Sequence, residues 1–255
     1  RRAVAAVVRA GAGRVPVLAG VAALGTADAR ADATSFAAEG ADAILASAPF
    51  GFELSQRELS GHFRAMAAAA PGVPIMAYEV PSRVKVSLGT GLVSELLGDG
   101  VIAGLKDSSG NIGAARLRSG ALRGVPWLHY TGAEECIDAF LLGGGNGSVP
   151  GLANVFPQFH LNLSRRAARG DWAGAREAQD LINQLLDLYF HPLPDASFSA
   201  QFFAIVKEAL RQRGVIEGAT TSVPFLQADQ SLVQHVAAFL EFAAAAVEPK
   251  LKALP

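Results

Sequence analysis

The sequence predicts an α/β protein in which a parallel sheet is followed by a helical region. Six short runs rich in apolar and β-branched residues alternate with helical patterns, and strands separated by helices are typical of parallel sheets. The runs recur at intervals of about 20 to 30 residues, close to the length of one strand–helix unit. After Leu152 no further run of this kind occurs. The 255 residues are enough for one large α/β domain.

The predicted strands follow one another through the first 149 residues. Their ranges are 15–21, 43–47, 73–78, 101–105, 127–130 and 147–149. Gly40 is a predicted helix stop. Two Ser/Thr-x-x-Glu patterns predict capping boxes at helix starts, and these are Ser55 with Glu58 and Thr131 with Glu134.

Beyond Leu152 the pattern is helical. The predicted helices are 161–169, 171–189, 198–213 and 232–247, with linkers at 191–199 and 214–224. In the last helix five apolar residues fall on one face, namely Leu232, Val236, Phe239, Ala243 and Val247. We therefore expect a helical domain at the C-terminal end of the chain.

Composition excludes several classes of protein. Apolar residues make up 51% and charged residues 18% of the chain, against about 25% charged residues in an average soluble domain, which excludes disorder. The net charge of −1 does not indicate the strong positive potential that attracts nucleic acid or an anionic membrane. The longest stretch without charged side chains, 139–164, contains Gly and Pro, so no membrane span is predicted. Cys136 is the single cysteine, which favours the reducing cytoplasm.

Two scarce residue types come at the ends of neighbouring predicted strands. The chain has five lysines and three tyrosines. Lys106 directly follows the run 101–105, and Tyr78 ends the run 73–78. Functional groups of parallel α/β proteins collect at the C-terminal ends of strands. If the two strands pair, Tyr78 and Lys106 meet at one rim.

A lysine and a phenol in this arrangement favour carbonyl chemistry. A partly desolvated lysine loses some of its preference for the protonated form, and the neutral amine attacks a ketone to give a Schiff base. A phenol beside it relays protons. The alternative interpretation from spacing alone is that Lys106 pairs with an acid at the rim and Tyr78 caps the core.

The residues around this pair resemble a known family. The segments are 78–83, Tyr-Glu-Val-Pro-Ser-Arg, and 104–110, Gly-Leu-Lys-Asp-Ser-Ser-Gly. They are similar to the tyrosine motif and lysine loop of the dihydrodipicolinate synthase and N-acetylneuraminate lyase family of Schiff-base aldolases. Further matches run nearly to the C-terminus, among them 130–132, 147–154 and 207–210.

The resemblance implies a fold and a set of roles. The fold would be a (β/α)8 TIM barrel in residues 1–169 with a C-terminal three-helix domain in 170–255, usually assembled as a homotetramer and needing no metal or cofactor. Lys106 would form an imine with pyruvate or another 2-oxo acid, and Tyr78 would shuttle protons. Arg83 matches an arginine that holds a carboxylate of the second substrate. Gly132 and Val149 match backbone positions that line the substrate pocket.

Departures from the family pattern accompany these matches. The family's first two strands, and the loop that binds the pyruvate carboxylate, have no counterpart in the chain, which predicts that roughly 55 N-terminal residues of the encoded protein are missing from it. Glu79 stands where the family commonly has Asn, and Val84-Lys85 replaces Thr-Gly. The segment 49–52, Pro-Phe-Gly-Phe, lacks a tyrosine that true dihydrodipicolinate synthases use in their proton relay.

Three functions follow as hypotheses. The leading one is a cytoplasmic, dihydrodipicolinate-synthase-like lyase that acts on a small 2-oxo acid, as a tetramer or dimer, without nucleic-acid or membrane partners. A 2-keto-3-deoxy sugar acid aldolase or dehydratase fits the same residues. The rival from another class is a non-catalytic 2-oxo acid binding protein. The five histidines have no metal-ligand spacing, so no metal site is predicted.

Overall fold

A computed structural model of the chain describes residues 1–190 and 193–253. Six strands form one sheet in which every neighbouring pair is parallel and the order follows the chain. The strands are β1 (Leu18–Val21), β2 (Ala43–Ser47), β3 (Ile75–Glu79), β4 (Gly104–Asp107), β5 (Leu128–Thr131) and β6 (Gly147–Ser148). All six predicted strands are confirmed, with bounds that differ from the predicted ones by at most three residues.

Helices connect the strands and continue after β6. They are α1 (Arg2–Gly11), α2 (Thr26–Ala38), α3 (Gln56–Ala69), α4 (Pro81–Val84), α5 (Thr90–Gly98), α6 (Ile112–Ala121), α7 (Ile137–Leu142), α8 (Pro157–Ala168), α9 (Trp172–Leu186), α10 (Phe198–Gln212), α11 (Gln230–Phe242) and α12 (Glu248–Ala253). A π-helical segment, Ala243–Val247, joins α11 to α12, and short 3-10 turns precede α7, precede α8 and follow α9.

The two faces of the sheet have different surroundings. On one face, buried apolar residues such as Ile44, Ala77 and Leu105 pack into a core with α2, α3 and α5. Because side chains alternate along a strand, the residues between them point to the other face. Tyr78 and Lys106, near the C-terminal ends of β3 and β4, point to this other face, and both are half-buried.

The residues form two compact units. One comprises 1–133 with 143–149, and the other 134–142 with 150–255. The helical unit has its own core, to which α8, α9, α10 and α11 contribute buried residues. The domain boundary after residue 169 stays a prediction, although the contacts group α8 with the helices that follow it.

The five-residue apolar face of the last predicted helix is confirmed. Its members are all buried in the core of the helical unit. The run Gln230–Leu251 is long and apolar enough to span a membrane by length and composition, so the prediction of no such segment from uncharged stretches was too narrow. The mostly buried core helix of a soluble protein meets the same criterion, whereas 28% of the candidate window is buried here. The run carries Glu241, Glu248 and Lys250. Of the predicted linker 191–199, residues 191 and 192 lie outside the described residues.

One of the two predicted capping boxes is wrong. At Ser55 and Glu58 both reciprocal hydrogen bonds are present, and α3 begins there. The Glu134 carboxylate instead accepts hydrogen bonds from Gly151 N and Leu152 N, at 3.1 and 2.9 Å. Thr131 Oγ1 accepts one from Ala133 N. The carboxylate is thus used by amides distant in sequence, and a 3-10 turn, Glu134–Cys136, replaces the expected helix start.

Candidate active site

The register of the sheet brings the predicted pair together. Tyr78 of β3 lies directly opposite Lys106 of β4, and Tyr130 of β5 lies opposite Lys106 on its other side. Partners in register project to the same face. Lys106 Nζ lies 4.3 Å from the centroid of the Tyr78 ring. The expectation that Tyr78 and Lys106 meet at one rim is therefore confirmed.

Gly132 also lies at this rim. Its amide donates a 2.7 Å hydrogen bond to the carbonyl of Asp107, the residue after the lysine. A Cβ at position 132 would lie 3.5 Å from Lys106 Cε and would collide with Ser108 Oγ. Only glycine lets the two strand ends approach this closely, so Gly132 bounds the space around the lysine side chain.

Arg83 and Val149 come shortly after the C-terminal ends of β3 and β6. Arg83 is exposed in the four-residue helix α4, which begins two residues after β3 ends. Val149 follows β6, is 41% exposed, and donates its amide hydrogen to Thr131 O at 2.8 Å. Within the described ranges 1–190 and 193–253, the Arg83 guanidinium makes no hydrogen bond or ion pair. The geometry thus joins Tyr78, Lys106 and Gly132, while Arg83 and Val149 stay candidates that the family resemblance alone supports.

Sequence reasoning missed a group of charged residues on the opposite face of the same strands. Glu79, Asp107, Arg118 and His129 are each at most 6% exposed, and we call them the ion cluster. Arg118 comes from α6, which covers this face of the sheet. Glu79 and Asp107 directly follow Tyr78 and Lys106, so alternation turns their side chains away from the pair.

Arg118 is the centre of the ion cluster. Its Nη1 lies 3.0 Å from Glu79 Oε2 and 3.1 Å from Asp107 Oδ2, and its Nη2 donates to Leu88 O at 2.9 Å. Leu88 N donates to Glu79 Oε1 at 3.0 Å. The side chain of Arg118 therefore ties two strands and the loop after β3 to one helix.

The surroundings of the ion cluster shift its titration. Burial is the main cause that raises the pKa of Glu79; Arg118 opposes the rise and Asp107 adds to it. Burial lowers the pKa of His129 to about 4, and the neighbouring Asp107 offsets part of that effect. His129 therefore stays neutral at physiological pH. Its ring stacks on Trp127 with 4.5 Å between centroids, and its Nδ1 lies 3.1 Å from Ser119 Oγ.

A sequence signal for the ion cluster existed. Two carboxylates that follow Tyr78 and Lys106 by one residue must face the covering helices, where an unpaired charge is costly. Two buried carboxylates are stable there only if a cationic side chain from a neighbouring helix pairs with them. Helix α6 carries Arg116 and Arg118. The choice between them depends on the rotation of α6 against the sheet, which the sequence pattern does not determine.

The arrangement at the rim is suited to carbonyl chemistry. An amine and a phenol on adjacent strand ends can attack a ketone and carry the proton that the reaction displaces. Across the part of the chain that the structure describes, no group of three or more His, Cys, Asp or Glu side chains is placed to hold a metal ion. Cys136 belongs to the helical unit, and burial raises the pKa of its thiol to about 11.

Comparison with known proteins identifies the family. The model of the dihydrodipicolinate synthetase family matches residues 2–243. The chain belongs to this family. A 4-hydroxy-tetrahydrodipicolinate synthase of Neisseria meningitidis serogroup C is 36% identical over 193 residues, which are 75% of this chain and 65% of the relative. One of Nitrosomonas europaea is 32% identical over 228 residues, covering 80% of this chain and 76% of the relative.

Solved structures support the fold of this dihydrodipicolinate synthetase family member. A dihydrodipicolinate synthase from Thermotoga maritima has a TM-score of 0.84 at 20% identity, over 95% of this chain and 80% of that one. A sialic acid aldolase of Ruminococcus gnavus has a TM-score of 0.83 at 22% identity, over 94% and 77%. The predicted fold class is confirmed as a (β/α)8 barrel with a C-terminal helical region, of which this chain carries six strands without the first two. The alignments span only 60 to 65% of the first four curated relatives.

Proposed function

We propose that this family member is a class I lyase that forms a Schiff base between Lys106 and a 2-oxo acid such as pyruvate, then makes or breaks a carbon–carbon bond. The observation that carries the proposal is the placement of Lys106 Nζ 4.3 Å from the Tyr78 ring centroid at the ends of paired strands. The curated relatives, named as 4-hydroxy-tetrahydrodipicolinate synthases, support the same class of reaction.

In the proposed reaction the neutral amine of Lys106 attacks the ketone carbon of the 2-oxo acid. Attack gives a carbinolamine, and Tyr78 donates a proton to its hydroxyl oxygen. That oxygen leaves as water while the carbon–nitrogen double bond forms. The Tyr78 phenolate left by this step takes a proton from the adjacent carbon to give an enamine. The enamine attacks an aldehyde carbon, and Tyr78 returns the proton to the aldehyde oxygen. Water then adds to the imine, which releases the product as a 2-oxo acid and frees the amine of Lys106, while Tyr78 regains its proton. The reverse sequence cleaves the bond. The imine is the electron sink, so the proposal includes no metal or cofactor.

The remaining site residues have supporting roles in this proposal. Arg83 would bind a carboxylate of the second substrate, because a guanidinium pairs with a carboxylate through two parallel hydrogen bonds. Gly132 and Val149 would line the pocket through their backbones. The proposal also includes a cytoplasmic location and assembly as a homo-oligomer, either a tetramer or a dimer. Sedimentation of the full-length protein would test the oligomeric state.

The proposal includes two alternatives for the second substrate. Relatives that are named as synthases favour a dihydrodipicolinate-synthase-like reaction, while the segment 49–52 without tyrosine favours a 2-keto-3-deoxy sugar acid aldolase or dehydratase. A screen of aldehydes and 2-keto-3-deoxy acids against the full-length protein would decide between them. Glu79 gives little support to a non-catalytic binding protein, because its carboxylate faces Arg118 and not the pair.

Borohydride trapping tests the central step. When the full-length protein is incubated with pyruvate and borohydride, we expect one reduced pyruvate per chain, located on Lys106 by peptide mapping. Lys106→Arg should abolish the adduct, because a guanidinium does not form the imine. Lys85→Arg, an exposed lysine of the same barrel, is the matched control and should label like the wild type. Binding of pyruvate without an adduct on Lys106 would refute the lyase and favour the binding protein.

A further inference from the structure

We infer that Arg118 is a positioning residue for the Tyr78–Lys106 pair, acting from the opposite face of the sheet by holding the ends of β3 and β4 in register. The inference rests on the proposed function, because it concerns the geometry of the proposed Schiff-base site. It assigns a reaction-related role to the ion cluster. Glu79 and Asp107 lie within the two motif segments, but no member of the cluster is proposed to contact substrate.

The first step of the argument concerns repulsion between two strands. Glu79 and Asp107 are register partners, just as Tyr78 and Lys106 are. Neighbouring strands lie about 4.8 Å apart, so two carboxylates directly opposite on one face are close neighbours, and the repulsion of like charges there destabilises the pairing. Arg118 Nη1 lies within 3.1 Å of both carboxylates. The guanidinium therefore converts a repulsive pair into a bridge across β3 and β4.

Burial makes this bridge stiff. The side chains of Arg118, Glu79 and Asp107 are 7%, 3% and 5% exposed, so water cannot replace a lost partner. Removal of one member of a buried ion pair leaves an uncompensated charge, which is strongly unfavourable. The bond from Arg118 to Leu88 O and that from Leu88 N to Glu79 extend the bridge into the loop after β3.

The lysine loop depends on the same carboxylate. Asp107 Oδ1 accepts a 2.9 Å hydrogen bond from Ser109 N, while Asp107 O accepts one from Gly132 N. A displacement of Asp107 would therefore move Gly132 and the backbone of Lys106 together. A misplacement of about 1 Å at a reacting group can cost about 100-fold in rate, so a small shift of β4 against β3 should slow attack by the amine.

The test uses Arg118→Lys and Arg118→Met in the full-length protein. Lysine keeps the positive charge, but its compact ammonium cannot contact both carboxylates and Leu88 O as the planar guanidinium does. The readouts are the first-order rate of borohydride-trapped adduct formation at saturating pyruvate and the pyruvate concentration at half-saturation. We expect each variant to lose about tenfold or more in the rate, with a smaller change in half-saturation.

Two controls separate positioning from general stability. Arg64 also bridges two carboxylates, Glu95 and Asp99, at 2.7 and 2.6 Å, but on the exposed side of the helices. Arg64→Met should keep the wild-type rate. Leu96→Ala removes a fully buried leucine of α5, and should keep the rate at temperatures well below its melting point.

The repulsion argument supplies a further variant. Glu79→Gln removes one of the two opposed carboxylates, so adding it to Arg118→Met should restore part of the lost rate. If Arg118→Met does not fold, Arg118→Lys and the double variant carry the comparison. Rates in the Arg118 variants within twofold of wild type, or an equal loss in Leu96→Ala, would overturn the inference. A wild-type protein that gives no adduct would instead refute the proposed function.

Discussion

Tyr78 is the residue whose change removes the proposed proton transfer and leaves the amine of Lys106 in place. Its ring packs against Lys106 Nζ, so Tyr78→Phe keeps the ring and removes only the hydroxyl. General acid–base catalysis contributes about 10² to 10⁴ in rate, and we expect turnover with the accepted substrate pair to fall by about 100-fold or more. The adduct on Lys106 should still form, more slowly. Steady-state turnover and single-turnover trapping measure the two effects.

Another tyrosine is the control for that change. Tyr189 is buried in the core of the helical unit, and its hydroxyl donates to Glu134 Oε1 at 3.4 Å. Tyr189→Phe removes the same atom from a residue of the other unit that has no role in the proposed chemistry, so turnover should stay within about twofold of wild type. Equal losses in both variants would remove the basis for a proton-transfer role of Tyr78.

The two faces of the strand ends differ in how well the sequence predicted them. Tyr78 ends an apolar run and Lys106 directly follows one, and functional groups collect at such strand ends, so the sequence predicts both. The role of Glu79 was not predicted. Its partner Arg118 lies 39 positions later, on a helix whose rotation is set by packing. Residues that depend on one strand were therefore predicted, and residues that depend on two packed elements were not.

At the scale of single elements, α3 has its start specified by local sequence. Ser55 Oγ accepts a hydrogen bond from Glu58 N, and the Glu58 carboxylate accepts from Ser55 N and Ser55 Oγ. These bonds lower the pKa of Glu58. Since the folded pKa lies below the unfolded one, this contribution is present above the unfolded pKa and is lost as pH falls through the folded pKa. Thr131 and Glu134 show the same spacing without the box, because Glu134 is bound to the amides of Gly151 and Leu152.

Ser55→Ala tests the local origin of this helix start. Removal of an N-cap hydroxyl costs about 1 kcal/mol of stability, so the free energy of unfolding in urea should fall by about that amount at neutral pH. Ser94→Ala is the same change at an exposed position inside α5, where alanine is the better helix former, and it should not destabilise. A loss at Ser94 as large as that at Ser55 would contradict the capping interpretation.

At the scale of the whole molecule, buried histidines make stability depend on pH. Burial lowers the pKa of His62, His129 and His160. Such a group takes up a proton more readily when the chain is unfolded, so acidification below about pH 6.5 favours unfolding. Glu79 acts in the opposite direction, because its raised pKa gives stability that is present below the unfolded pKa and lost as pH rises through the folded pKa.

His129→Gln isolates the largest of these effects. The pKa of His129 falls from 6.5 to about 4 in the folded protein, so its contribution is complete above pH 6.5 and is lost as pH falls toward 4. Over that window it amounts to roughly 3 kcal/mol. The free energy of unfolding, measured in urea from pH 7 to 4, should therefore fall less steeply for His129→Gln than for the wild type. The comparison uses slopes, since the substitution also changes stability at neutral pH.

Glu79→Gln should change the pH dependence of stability in the opposite direction to His129→Gln. It removes a carboxyl group that takes up its proton more readily in the folded protein, and that uptake stabilises the fold as pH falls toward 4.5. Stability of this variant should therefore fall more steeply than that of the wild type over the same acid range. Identical slopes in all three proteins would mean that neither buried group titrates as its surroundings require. Opposed changes would establish that the ion cluster behind Lys106 contributes to the acid sensitivity of the whole fold.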